Sequence, residues 1–425
     1  MIKKYLDNFL IKFAIIIVLF SVIIFPQLKL IGLYFTGLDY LFYFIFLIAI
    51  FLKLEIRYEK PVMIKLCLIS LIILFSLFTS DYINNYFFSA LGFLIIILPF
   101  ISYTLFYNIN ITKKDLIKVF KQIQVILFLV SLSVIVNLIL GRVNDYGSPY
   151  TITKDIGVAA TLCNVNIIIS LVLFSYNKLK KHLFIIIVSF LAILLISSLK
   201  SIFMSLVVLL YYFHTKNLSN YVKNFVYIFI VCVFSFIIYS NQFITEKIKT
   251  YFFIYGTSDN SLEIARIATY LASANIAIDH FPLGSGPGTF GSYPVLINYN
   301  DLYYDYNLSE VWGMQEENLT DPNLPTFLLD TYWSSPLAET GIIGIIILLV
   351  FYFHPLIKIR KLIGDLKVTD KVFYKSLKFY ISSIALVLLI ENITLSSLSQ
   401  VFIIILYFGL SGLIINFTKQ SIYRE

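Results

Sequence analysis

Apolar residues run through this chain in long stretches separated by short polar breaks, and one break is far longer than the rest. Stretches of about 20 predominantly apolar residues predict membrane-spanning helices, and somewhat shorter ones are candidates. The pattern places them near residues 9 to 27, 33 to 53, 61 to 80, 85 to 107, 117 to 139, 156 to 176, 182 to 198, 200 to 214, 223 to 240, 336 to 356, 373 to 395 and 397 to 417. About twelve spans follow, the closely spaced seventh and eighth being the least sharply separated. The predicted fold is therefore all-α and polytopic, in three parts: spans one to nine in residues 1–240, a large extracytoplasmic loop in 241–335, and spans ten to twelve in 336–425.

Composition agrees. At 59% hydrophobic and 13% charged residues, the chain has too little polar surface to cover a water-soluble globule of 425 residues. Lys and Arg in short loops are retained in the cytoplasm. The basic clusters are Lys3/Lys4/Lys12, Arg57/Lys60, Lys113/Lys114/Lys118, Lys178/Lys180/Lys181, Lys216/Lys223, Lys358/Arg360/Lys361/Lys367/Lys371 and Lys419/Arg424. All fall on one side if twelve spans are assumed, which makes both termini cytoplasmic and the long loop external. That loop holds eleven acids against three bases, so the overall charge of +8 reflects topology. A nucleic-acid partner is not expected, because the basic residues are scattered with no single recognition face.

Cys67, Cys163 and Cys232 lie in predicted spans, are odd in number and have no CxxC spacing, so neither a disulfide framework nor a zinc site is supported. The basic, then apolar, N-terminal segment has no small-residue cleavage pattern and reads as a retained first span. In the long loop, Asn260 to Glu263 reads as a helix start. A helix over 261 to 279 groups Glu263, Arg266, Tyr270 and Ser273 on one face and Ile264, Ile267, Leu271, Ala274 and Ile278 on another, as in an amphipathic helix lying on the outer membrane surface. The segment His280 to Gly291, HFPLGSGPGTFG, follows. Its GxGxxG spacing lacks the strand-before, helix-after context of a dinucleotide site. It reads either as a tight turn between helices or as a glycine loop, with Gly284, Gly286 and Gly288, that lets backbone amides approach a substrate.

Four ionisable residues fall in or beside predicted spans where hydrocarbon makes charge costly: Asp39, Lys200, Glu339 and Glu391. With the assigned orientation all four lie in the outer half, and Arg142, Lys154 and Arg266 face the same side. Singly, each reads as well as interfacial snorkelling, or as an ion pair between Lys200 and Glu339. Together they predict a polar, partly cationic cavity opening outward and suited to an anionic ligand such as a diphosphate. No DxD pair or His/Glu cluster with metal-ligand spacing occurs, so neither a metal nor another cofactor is expected.

In order along the chain stand Ser197-Ser-Leu-Lys200, Arg266, the glycine-rich segment, and Asp330-Thr-Tyr-Trp-Ser-Ser-Pro-Leu-Ala-Glu339-Thr-Gly-Ile-Ile-Gly344. This ordered set, over roughly residues 195 to 350, resembles the O-antigen polymerase and O-antigen ligase superfamily of bacterial envelopes. Two departures stand out. Lys200 replaces the usual arginine, and Asp330-Thr331 fills the place of the ligases' His-Asn pair, which favours the polymerase branch.

The resemblance implies an inner-membrane glycosyltransferase that passes a growing polysaccharide from undecaprenyl diphosphate to a new lipid-linked repeat unit at the periplasmic face. It implies undecaprenyl-diphosphate-linked oligosaccharide and membrane lipid as partners, with a chain-length regulator and a flippase as further ones. Arg266, Lys200 and Arg142 are the expected diphosphate cations, and Asp330, His280 and Glu339 the candidate bases. Tyr293, Tyr299, Tyr303, Tyr304, Trp312, Tyr332 and Trp333 offer rings for sugar stacking. A ligase acting on a final acceptor and a flippase are the alternatives. The flippase is disfavoured because no related halves are visible and one loop is long.

The topology is tested with paired reporter fusions. Fusions after residues 60, 110, 180, 220 and 365 should report cytoplasm, and those near 145 and 300 the exterior; a cytoplasmic signal at 300 would reverse the assignment.

Overall fold

The computed structural model describes residues 2–24, 59–143, 150–153, 155–216, 224, 228, 265–320, 326–364 and 371–424. The predicted spans over 33 to 53 and 223 to 240, with Asp39, Lys154 and the helix start at Asn260 to Glu263, lie outside these residues. The described chain is helical, with no strand. Seven of its helices are long and apolar enough to cross a membrane: Lys60–Thr79, Tyr86–Tyr107, Lys113–Ile139, Ile156–Asn177, Ser334–Gly364, Lys371–Glu391 and Val401–Ile422. Phe9–Ile23 and Leu199–Thr215 are shorter apolar helices. Helices dominate because backbone N–H and C=O groups in hydrocarbon must be satisfied within the segment.

Local chemistry sets the helix ends. Thr112 and Asp155 accept hydrogen bonds from the backbone N–H of Asp115 (3.2 Å) and Val158 (3.0 Å), and Pro61 opens Lys60–Thr79. The ambiguous seventh and eighth spans are two helices, Lys180–Ile196 and Leu199–Thr215. Ser197 ends the first in the left-handed conformation (φ 56°), which an α-helix cannot continue.

Ile156–Asn177 and Val401–Ile422 are enclosed nearly all round, whereas Lys60–Thr79 turns most of its surface outward. Polar side chains bind the central helices together. Gln124 donates to Ser170 (2.7 Å) and approaches His182 Nδ1 (3.1 Å), Asn166 donates to Ser189 (2.8 Å), and Asn164 donates to the Ser201 carbonyl (3.1 Å). Between helices in lipid, hydrogen bonds and close packing supply the attraction that the hydrophobic effect no longer provides.

The bundle has two chemically different ends. At one, Lys113 lies 4.8 Å from the ring centres of Tyr176 and Phe373, and Lys419 donates to Tyr107 Oη (3.0 Å). Here Glu59 is buried and accepts from Tyr103 Oη (2.9 Å), with His354 Nε2 at 2.9 Å and Lys358 Nζ at 3.1 Å. The 20-residue helix Lys60–Thr79 separates Glu59 from Ser80 by about 30 Å, the thickness of a bilayer core.

At the far end the long loop folds over the turns between helices. Ser80 donates to the Ser285 carbonyl, Asn84 to Asp301 (3.3 Å), Asn300 to the Tyr82 carbonyl (2.8 Å) and Tyr270 to the Ile393 carbonyl (2.9 Å). The loop also has an apolar core of its own, around Phe290, Val295, Leu302, Tyr303, Met314 and Leu328.

The helix of this loop, Ala265–Asp279, differs from its expected setting. It buries Ala268, Thr269, Ala272, Ser273, Ile276 and Ala277 and packs against Ser334–Tyr352, leaving Ile267, Leu271 and Ile278 exposed. Small residues on that third face let two helix backbones approach closely, a demand that an apolar-versus-polar reading passes over.

Burial alone would raise the Glu59 carboxyl, but hydrogen bonds from His354 and Lys358 and the Lys358 charge overcome it and hold the group at about 2. A depressed carboxylate stabilises the fold above its unfolded value and loses that contribution as pH falls through its folded value. Glu59→Gln should therefore cost roughly 3 kcal/mol near neutral pH, read by thermal unfolding in detergent. The deficit should narrow between about pH 4.5 and 2. A deficit that stays constant across that window would show that the Glu59 charge is not what stabilises this end.

Candidate functional site

The glycine-rich segment is wound around the start of helix Ser334–Tyr352. Ser285 and Gly286 donate their N–H groups to the carbonyls of Ala338 (2.9 Å) and Glu339 (3.1 Å). The Glu339 side chain, fully buried, closes the loop from inside: its Oε1 accepts from Gly288 N (3.0 Å), Phe290 N (3.2 Å) and Ser292 Oγ (2.5 Å), while its Oε2 has no hydrogen-bond partner. The close backbone approach that the glycines permit is thus made with the chain itself. Gly284 and Gly341 both have positive φ (75° and 66°) and sit back to back, a Cβ on Gly284 falling 2.4 Å from the Ala338 carbonyl oxygen. Gly92, on helix Tyr86–Tyr107, presses against the opposite side, where a Cβ would lie 2.3 Å from Gly288 N.

Arg266 opens the loop helix and Asp330 lies 64 residues later, yet the fold brings them together. Arg266 Nε and Nη2 donate to Asp330 Oδ2 at 3.1 and 2.8 Å, and Asp330 Oδ1 has no hydrogen bond among the described residues. The pair is partly open, with side-chain exposures of 39% and 28%, so a ligand can reach it. Burial raises the Asp330 pKa above its ordinary value, against the opposing charge and hydrogen bonds of Arg266. Two further charges act on the same carboxyl: Asp155 raises its pKa and Lys200 lowers it.

Lys200 is paired, but not with Glu339. Its Nζ is 3.1 Å from Glu391 Oε2 and donates to Thr394 Oγ1 (2.7 Å), and Ser201 Oγ donates to Glu391 Oε1 (2.6 Å). The cause is packing: helix Leu199–Thr215 lies along Lys371–Glu391, whose last residue is Glu391, while Glu339 is taken up by the glycine loop. Tyr332 N donates to the Asn392 carbonyl (3.2 Å), tying the segment after Asp330 to the same turn. The result is one cluster of charges, Arg266, Asp330, Lys200, the buried Glu391 and Asp155.

His280 stands apart from it. Thirteen helical steps lead from Arg266 to Asp279, about 20 Å along the axis. His280 lies past that far end, edge-on to Tyr82 at 5.4 Å. Arg142 is exposed after helix Lys113–Ile139 and makes no ion pair among the described residues. Of the aromatic residues, Tyr303 is fully buried in the loop core, where its Oη accepts from Gly291 N (2.9 Å). Tyr304 and Trp312 remain exposed, at 49% and 60%, though each ring meets a neighbour, Tyr299 at 5.5 Å and Phe327 at 5.3 Å. Asp155 escaped the sequence reading, although an acid just before an apolar run is a recognisable helix cap. The pairing of Arg266 with Asp330 had no local signal at all.

No protein-family model matches this chain, and no curated protein matches it.

The tight seat of the glycine loop has a direct test. Gly92→Ala should lower stability by about 1–3 kcal/mol through overpacking against Gly288. Gly364→Ala, where a Cβ meets nothing within 4 Å, should leave it unchanged. Equal thermal midpoints for the two variants would mean that the loop yields at Gly288.

Proposed function

We propose that the protein is a glycan polymerase: a glycosyltransferase of a bacterial inner membrane that moves a growing polysaccharide from undecaprenyl diphosphate onto a new lipid-linked repeat unit. The proposal includes about twelve spans, cytoplasmic termini and a site facing the periplasm. The observation that carries it is the partly open Arg266–Asp330 pair, beside Lys200 and Glu391 at the end of the bundle opposite the lysine-rich one. The ordered sequence signals from Ser197 to Gly344 support the same reading.

The chemistry needs a base for an acceptor hydroxyl and cations for a departing diphosphate. In the proposed reaction the acceptor oxygen attacks the anomeric carbon of the donor sugar. The bond from that carbon to the diphosphate oxygen breaks, and the electron pair leaves with the diphosphate. Asp330 Oδ1, free of Arg266, takes the hydroxyl proton. Arg266 holds Asp330 through Nε and Nη2, and its remaining N–H groups face the leaving group with the bidentate geometry that phosphate favours. Lys200 contributes positive charge balanced in part by Glu391. Glu339 acts as a positioning residue, because its Oε1 already accepts three hydrogen bonds from the glycine loop. Tyr304 and Trp312 supply exposed rings on the same external layer for sugar stacking.

Polymer formation from a defined lipid-linked repeat unit, with reconstituted protein, tests the assignment. Asp330→Asn should slow the reaction roughly a hundredfold or more with lipid-linked substrate still bound, and Arg266→Ala should abolish it. Both variants should remain inserted and abundant. An unchanged polymer ladder from Asp330→Asn would remove Asp330 as the base.

The pH profile provides a finer check. The base works unprotonated, so the rate should fall as acid passes through the raised Asp330 value. Asp155→Asn removes a charge that raises that value and keeps an oxygen to cap Val158 N, so its acid limb should move to lower pH. A limb that stays in place or moves up would contradict the role of Asp330.

A further inference from the structure

At the lysine-rich end, remote from the Arg266–Asp330 pair, a cavity of about 370 Å³ opens between helices Ile156–Asn177, Leu199–Thr215 and Lys371–Glu391. Lys216, Lys375 and Lys378 line it together with the hydroxyls of Ser175, Thr215 and Ser376, and none of the described residues lining it is acidic. Lys375 and Lys378 make no ion pair among the described residues, and Lys216 is held by Ser175 Oγ (3.0 Å) and the Tyr212 ring. Three like charges gathered with no counter-charge among the described residues repel one another, so the site gains from an anion.

The cavity continues along the same helix. Tyr211 and Phe379, stacked at 5.5 Å, form its inner edge. Beyond them a second cavity of about 210 Å³ shares Tyr211 and is walled mainly by Phe353, Leu356, Leu386 and Leu389, with Arg360 as the one charged residue among the described residues lining it. Lys375, Lys378, Phe379, Ser382, Leu386 and Leu389 recur at three- and four-residue steps and so form one stripe. Over the fourteen helical steps from Lys375 to Leu389 it runs about 21 Å, near the depth of one leaflet. Ser382, whose Oγ has no hydrogen-bond partner among the described residues, lines this second cavity. The stripe is cationic at one end and apolar at the other.

We propose that this cleft binds an anionic phospholipid of the leaflet at the lysine-rich end, its phosphate on Lys216, Lys375 and Lys378 and an acyl chain along Leu386 and Leu389. Basic pockets between membrane helices are suited to anionic head groups. The mainly apolar continuation favours a lipid over a free phosphate ion, which leaves Phe353, Leu356, Leu386 and Leu389 uncovered, while Arg360 adds a further cation for an anionic head group. The site does not depend on the proposed glycan transfer.

The test uses delipidated full-length protein in neutral detergent, titrated with phosphatidylglycerol, with phosphatidylcholine of the same chains, or with inorganic phosphate, and read by native mass spectrometry. Phosphatidylglycerol should bind at least tenfold more tightly than phosphatidylcholine. The double variant Lys375→Ala/Lys378→Ala should lose about tenfold or more of that affinity. Lys180→Ala/Lys181→Ala, outside the cavity, should keep it. Leu386→Trp, which fills the apolar arm, should weaken the lipid without altering phosphate binding. Equal binding of the two lipids would overturn the proposal, as would an equal loss in the Lys180/Lys181 control. Displacement of phosphatidylglycerol by millimolar phosphate would reassign the cavity to a small anion.

Discussion

The layer formed by the long loop is held to the bundle by one buried carboxyl group. Glu339 sits at the start of a membrane-spanning helix and receives N–H groups from Gly288 and Phe290 and the hydroxyl of Ser292. Charge placed there is costly unless it is met by donors, and the glycine loop supplies them with its backbone. Side chains on that loop would hold the donors away, which is why glycines stand at Gly284 and Gly288 and why Gly92 and Gly341 face them. Once the loop is seated, its neighbours are constrained: Ala265–Asp279 must pack its small-residue face on Ser334–Tyr352, and Asp330 then comes within reach of Arg266.

The Arg266–Asp330 pair gains its chemical interest from being incompletely satisfied. Both Arg266 contacts converge on a single oxygen, so the other remains open, and burial shifts the carboxyl toward stronger basicity. A surface pair of the same geometry would be screened by water and add little. Here both side chains are only partly exposed, so the fixed charges interact at higher effective strength than they would in bulk water.

The two ends of the bundle divide the work. One gathers lysines around Glu59 and around an amphiphile-shaped cleft; the other gathers mixed charge beneath a folded loop. Polar contacts inside the bundle, such as Gln124 with Ser170 and Asn166 with Ser189, hold helices in register between them. Register matters because Lys200 meets Glu391 only if helices Leu199–Thr215 and Lys371–Glu391 are aligned along their length.

Hydrophobic runs and their polar breaks were enough to locate the described helices, since hydrocarbon imposes its length and composition rule on each segment independently. The break at Ser197, the grouping of basic residues at one end and the separate character of the long loop were legible for the same local reason. Lys200, Glu339 and Glu391 could also be singled out one at a time, because a charge near hydrocarbon is conspicuous wherever it falls, whereas Arg266 and Asp330, in the long loop, drew notice chiefly through the ordered motifs. What each charge faces was not legible. Glu339 closing on Gly288, Lys200 choosing Glu391, and Arg266 reaching across 64 residues to Asp330 depend on how helices distant in sequence pack. The small-residue face of Ala265–Asp279 shows the same limit: alanine and serine carry little hydropathy signal, and their value lies in the closeness they allow to a partner that only the tertiary structure supplies.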